Sequence, residues 1–179
     1  SFAYSTDPQK FIAEIVDEAK SILNENISKE EKAKRLSAIA LKTVDIKGIG
    51  YYTIGSKRKE LAPDELKKYE DLFQQYFLKS FTSRLTDYSD PKINVVSSEV
   101  LSEKYTIVKT LLLATDKKPE VKIDWRVYTK NPDKPLIRDL IVEGLKLART
   151  QREEFSSVLS SNNNDINALF ETLKNFINE

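Results

Sequence analysis

Val121-Lys122-Ile123-Asp124-Trp125-Arg126-Val127-Tyr128 decides the fold of this 179-residue chain. Val121, Ile123, Trp125 and Val127 share one parity; Lys122, Asp124, Arg126 and Tyr128 share the other. Side chains alternate across a strand, so this stretch has one buried and one wet face. Asp116-Lys117-Lys118-Pro119 and Asn131-Pro132-Asp133-Lys134 bound it with turn chemistry. Residues 93–96, 105–115 and 136–148 are likewise rich in β-branched and aromatic side chains. With residues 120–130 they predict a four-stranded antiparallel meander. In the last of these segments Leu140 and Val142 share one parity, and Leu145 and Leu147 the other. The phase changes at Glu143-Gly144. A bulge at Gly144 accounts for it, turning all four side chains to one face.

Upstream the period is helical. Asp7-Pro8 is a helix start, followed by Phe11, Ile12, Ile15, Val16, Ala19, Ile22 and Leu23 on one face. Ser28-x-x-Glu31 is a capping box opening a second helix with Ala33, Leu36, Ile39 and Ala40. An apolar segment, residues 44–54, closes at Gly55, which suits a left-handed terminus. Pro63-Asp64-Glu65 opens the longest helix, residues 63–88. It spans roughly 39 Å at ~1.5 Å per residue, enough to lie across a small sheet. After Arg149 the helical period returns with Phe155, Val158 and Leu159. Asp165 then caps a closing helix of Ile166, Leu169, Phe170, Leu173, Phe176 and Ile177. No repeat or linker divides the chain, so residues 1–179 read as a single domain. Its class is α+β: a helical N-terminal half packed on a four-stranded antiparallel curved sheet, with C-terminal helices.

Composition removes several function classes. Net charge is +1, so no basic stripe points to nucleic acid. There is no cysteine for a disulfide or thiolate metal site. There is also no histidine, which takes away the usual general base and every histidine-containing triad. Four glycines form no phosphate loop. Asp139 and Glu143 lie roughly 13 Å apart on an extended strand at ~3.3 Å per residue, too far to act on one bond. They read as strand-edge charges or turn contacts, and no residue is expected to be catalytic. No stretch reaches the ~20 apolar residues of a transmembrane helix. The sequence begins at Ser1 and contains no methionine. That fits a processed or trimmed chain; it permits export with a signal peptide removed and does not show it.

What remains is apolar surface in surplus. The long helix offers Phe73, Phe77 and Phe81, while residues 105–114 are apolar on both parities, with Ile107, Leu111 and Leu113 on one and Val108 and Leu112 on the other. These side chains either fill a core or line a ligand cavity. The cavity reading adds Ile54, Trp125, Val127, Leu140, Val142, Leu145 and Leu147 to the lining. Lys57-Arg58-Lys59, beside Gly55, is a solvated run or a contact for phosphate or an acidic partner at the cavity mouth, with Lys57 and Arg58 as its candidates.

Asp139-Leu140-Ile141-Val142-Glu143-Gly144-Leu145-Lys146-Leu147 resembles the Asp-x-x-x-Glu-Gly-Val-Ser-x signature of the MlaC family, the toluene-tolerance periplasmic phospholipid carriers. Residues 149–155 are similar to the family's strand-to-helix passage and residues 165–173 to its closing helix. Ile54-Gly55-Ser56, Ala62-Pro63-Asp64-Glu65, residues 69–73 and the opening Asp7-Pro8 with Phe11-Ile12 follow in the family's order. Pro135, Lys146 and Ala62 depart from its usual tryptophan, serine and threonine. The resemblance implies a periplasmic carrier without a cofactor, holding a phospholipid by its acyl chains. Its implied partners are an outer-membrane lipoprotein complex and an inner-membrane ABC transporter complex, and its implied role is upkeep of outer-membrane lipid asymmetry. Two other readings stay open on the residues alone. One is a small lipid-acting enzyme with a carboxylate in an apolar pocket; the other is an interaction module with a filled core.

Overall fold

The computed structural model describes residues 3–179, which form six α-helices, a 3₁₀ turn and five strands. Helix α1 (Pro8–Asn24) starts where Asp7 accepts the Lys10 amide at 3.0 Å. Helix α2 (Lys29–Thr43) starts where Ser28 Oγ accepts the Glu31 amide at 3.1 Å. The return arm of that capping box is not made, because Glu31 instead accepts from Arg35. The opposite half-box opens α4 (Pro63–Leu85), where Glu65 accepts the Ala62 amide and alanine offers no oxygen in return. Between them lie α3 (Ile46–Ile54), capped by Asp45, and the 3₁₀ turn Gly55–Glu60. Gly55 has φ +62° with ψ −141°, a combination that only glycine adopts without strain.

The strands are β1 (Ile93–Val100), β2 (Tyr105–Leu112), β3 (Val121–Tyr128), β4 (Leu136–Val142) and β5 (Leu145–Lys146), antiparallel in the order β1-β2-β3-β4-β5. The expected four-stranded meander therefore has a fifth member. Residues 136–148 are not one bulged strand. The chain folds back at Glu143 (φ 50°) and Gly144 (φ 79°), a two-residue hairpin that sets Val142 opposite Leu145. Across such a turn, facing residues differ by an odd number, so the parity switch that a bulge would cause appears here as well. The bulges are elsewhere. Val96 is extra on β1 between Val95 and Ser97, and Arg138 is extra on β4 between the Arg126–Asp139 and Val127–Ile137 pairs.

Leu147 begins α5 (Leu147–Ser160), and Asp165 caps α6 (Ile166–Ile177). The helix lying on the sheet is α1, not the longest one. Phe11, Ile12, Ile15 and Val16 pack with Ile39, Val108, Trp125, Val127 and Ile137. Helix α4 instead sends Tyr69 and Phe73 into a second core with α3, α5 and α6, built on Ile49, Ile54, Phe155, Leu169 and Leu173. The reason lies in its stripe: only Tyr69, Phe73 and Thr82 of α4 are buried, while α1 buries five apolar residues. The two cores meet at Val44, which packs against both and bridges Ile137.

Candidate functional site

Register fixes which side chains share the sheet's inner face. Val108 faces Trp125, which faces Leu140; Thr110 faces Ile123, which faces Val142; Val142 faces Leu145. Burial falls steadily along this row. Val127 is 0% exposed and Trp125 9%; Ile123, Leu140 and Val142 are half-buried; Leu145 is 55% exposed at the hairpin. Trp125 Nε1 donates to Thr110 Oγ1 at 3.0 Å, and that hydroxyl donates to the Ile123 carbonyl at 2.6 Å. The indole's polar atom is thus satisfied within the sheet, and its ring remains a purely apolar wall.

The aromatic candidates on α4 follow one another along the helix. Phe73 is buried and stands 6.2 Å from Phe77, which stacks on Phe81 at 6.0 Å. Phe77 and Phe81 are half-buried. Phe81, Val142 and Leu147 are half-buried apolar residues that join neither core. Just beyond α4, the Tyr88 ring receives Lys118 from the β2–β3 turn at 3.7 Å, so this end of α4 sits at the end of the sheet where the inner row opens.

Not every candidate joins this surface. Ile107 faces Arg126 and Leu111 faces Lys122 across β2–β3, which puts both on the outer face, and Leu113 follows them in alternation past the end of β2. Ile54 is buried in the helical core. Lys57 Nζ donates to the Asn164 carbonyl at 2.6 Å, and the Arg58 guanidinium lies 3.7 Å from the Tyr51 ring centre, so both candidates have partners within the molecule.

Asp139 and Glu143 make turn contacts. Asp139 Oδ1 accepts the amides of Leu140 (2.8 Å) and Ala148 (3.0 Å), capping α5 from the neighbouring strand where Lys146 provides no side-chain cap. Burial raises its carboxyl above the ordinary 3.8. Glu143 Oε1 accepts the Lys122 amide at 2.7 Å. Among the described residues no cluster of acidic groups gathers that would hold a metal, and no helix is long and apolar enough to cross a membrane. One residue that sequence reasoning passed over is Arg138. Its bulge turns it onto Asp45, with Nε at 3.1 Å from Oδ2, and onto the Tyr105 hydroxyl at 3.0 Å, tying the sheet to the N-terminus of α3. A charge at the parity of Leu136, Leu140 and Val142, an otherwise apolar set, was the available signal.

The model of the family described as MlaC protein matches residues 13–175. The chain belongs to the MlaC family. In this member, the signature's Asp139 holds the first turn of α5, while Glu143 and Gly144 make the hairpin. A solved structure of a phospholipid-binding protein from Ralstonia solanacearum, in complex with a phospholipid, has the same fold at 16% identity. Its TM-score is 0.81, with 96% of this chain and 97% of that one covered. No curated protein matches.

Proposed function

We propose that this MlaC-family chain is a periplasmic, non-catalytic phospholipid carrier, taking acyl chains between the sheet's inner face and α4. The observation that carries the reading is the apolar row from Val127 through Trp125, Leu140 and Val142 to Leu145, which passes from buried to exposed along the sheet's inner face. The phospholipid held by the Ralstonia protein of the same fold supports it. A dry site answers a physical need: exposing ~30 methylenes to water costs on the order of 24 kcal/mol at about 0.8 kcal/mol each. Leu147 at the start of α5 adds to the wall. The headgroup stays near solvent, so tails decide selectivity more than heads. In the cell the carrier shuttles lipid between an outer-membrane lipoprotein complex and an inner-membrane ABC transporter complex, maintaining outer-membrane asymmetry.

Lipid extraction from freshly purified protein, followed by mass spectrometry, tests the central claim. The expected result is stoichiometric host phospholipid, with no lyso-lipid or free fatty acid accumulating on incubation. Folded protein that carries no lipid and takes up none from vesicles overturns the carrier reading; repeated turnover would make it an enzyme.

A further inference from the structure

We propose that the cleft between α3 and α5 is a docking site for an acidic side chain on a partner protein. Helix α5 turns Phe155 and Leu159 into the helical core, and Gln151 toward the Tyr76 hydroxyl. Arg149, Arg152, Glu153 and Ser156 are left on its other side, where with Tyr52 they line an open cleft of about 390 Å³.

Arg152 is held in place without being neutralised. Its guanidinium carbon lies 5.0 Å from the centre of the Tyr52 ring. On its other flank is Gly55, where a Cβ would come within 3.2 Å of Nη2 and 3.4 Å of both Cζ and Nε. These near-equal distances mean the planar group lies face-on against the glycine. Neither neighbour accepts a hydrogen bond from it. Among the described residues no carboxylate lies within ion-pair distance of Arg152, whereas Arg149 reaches Glu153 at 3.5 Å. A pre-oriented guanidinium presents a donor fork that matches a carboxylate in two places.

Charge and shape select the occupant. Two guanidiniums and one carboxylate leave the cleft with a single positive charge, suited to a monoanion. The adjoining turn carries Arg58 and Lys59, while its Lys57 is paired with Glu60 at 3.9 Å, so it adds net positive charge beside the cleft. Every residue lining it is exposed, so a carboxylate projecting from a partner protein reaches the Arg152 guanidinium directly. Its lining shares no residue with the sheet's inner row, so it does not depend on whether lipid is carried.

The test is an NMR titration of the intact, isotope-labelled chain with an acetylated hexaglutamate peptide. Hexaglutamine, matched sodium chloride and phosphatidylglycerol vesicles are the comparison arms. Saturable shifts of the Arg152 Nε–H and of the Tyr52 and Ser156 amides are expected with hexaglutamate alone. Arg152→Gln should bind at least about tenfold more weakly and Arg149→Gln a few-fold, while Arg84→Gln on α4 binds normally. An unchanged melting midpoint shows that each variant is folded. Equal shifts with hexaglutamine or salt overturn the proposal, as does undiminished binding by folded Arg152→Gln. Saturation by vesicles alone reassigns the cleft to a membrane surface.

Discussion

Asp139 illustrates how a carboxylate can look chemical in a sequence and prove architectural. Its Oδ1 accepts two backbone amides while burial raises its carboxyl above the ordinary 3.8. The folded state therefore holds this proton more tightly than the unfolded chain. The resulting stabilisation is complete below the unfolded value and is lost as pH rises through the higher folded one. Asp139→Asn keeps an acceptor and removes the charge. Its stability relative to the parent should rise over that acidic window and then level, leaving it at least as stable at pH 7. Asp139→Ala should instead lose about 1 kcal/mol at pH 7 with the helix cap. Chemical denaturation across pH checks both. At Leu145 the question is occupancy. Because it shares a face with Val142 yet is largely exposed, Leu145→Glu should leave the fold intact while abolishing lipid uptake, since the carboxylate would meet acyl chains without a paired cation. Co-purified lipid and thermal midpoint, measured on one preparation, separate a site residue from a core residue.

The β4–β5 hairpin shows what pattern reading resolves at the level of an element. Alternation in residues 121–128 located β3 without ambiguity because one face is apolar and the other charged. The phase switch after Val142 was equally visible, but a bulge and a two-residue turn both produce it, and only pairing distinguishes them. Gly144 carries a cost that can be measured. At φ 79° and with nothing within 4 Å of where a Cβ would sit, it pays for alanine through backbone strain alone. Gly144→Ala should cost about 1 kcal/mol, a midpoint drop of roughly 3 °C for a domain of this size. Calorimetry reads it directly. The same limit explains Ile107 and Leu111. Their apolar character suggested the inner face, but their parity places them opposite Arg126 and Lys122 on the outer one.

For the molecule as a whole, class and element order were legible in the sequence, and the assignment of helices to layers was not. Aromatic residues mark α4 as a packing helix, yet nothing local says whether its partner is sheet or helix. That choice is settled by α1, whose apolar stripe already packs on the buried part of the inner face at Val108, Trp125 and Val127. Trp125 belongs to the inner-face row on which the carrier reading lays the acyl chains, and it is the chain's one tryptophan. Phospholipid brominated along its acyl chains should therefore quench the protein's indole emission strongly, and phospholipid brominated on the headgroup should not. Equal quenching by the two would move the tails away from the inner face.

The extra residue at Val96 also bears on how these molecules keep apart at high concentration. Strand β1 is a sheet edge, with Val96, Val100 and Leu101 exposed by 61%, 75% and 53%. The Leu113 amide bonds Lys92 and the Leu101 amide bonds Tyr105, so the backbone groups left pointing outward belong to Ile93 and Val95, then to Ser98 and Val100. The interval between the two pairs is three residues instead of two. An incoming straight strand can satisfy one pair or the other but not both, so the edge is a poor template for cross-molecular β-stacking and for the fibrils that begin that way.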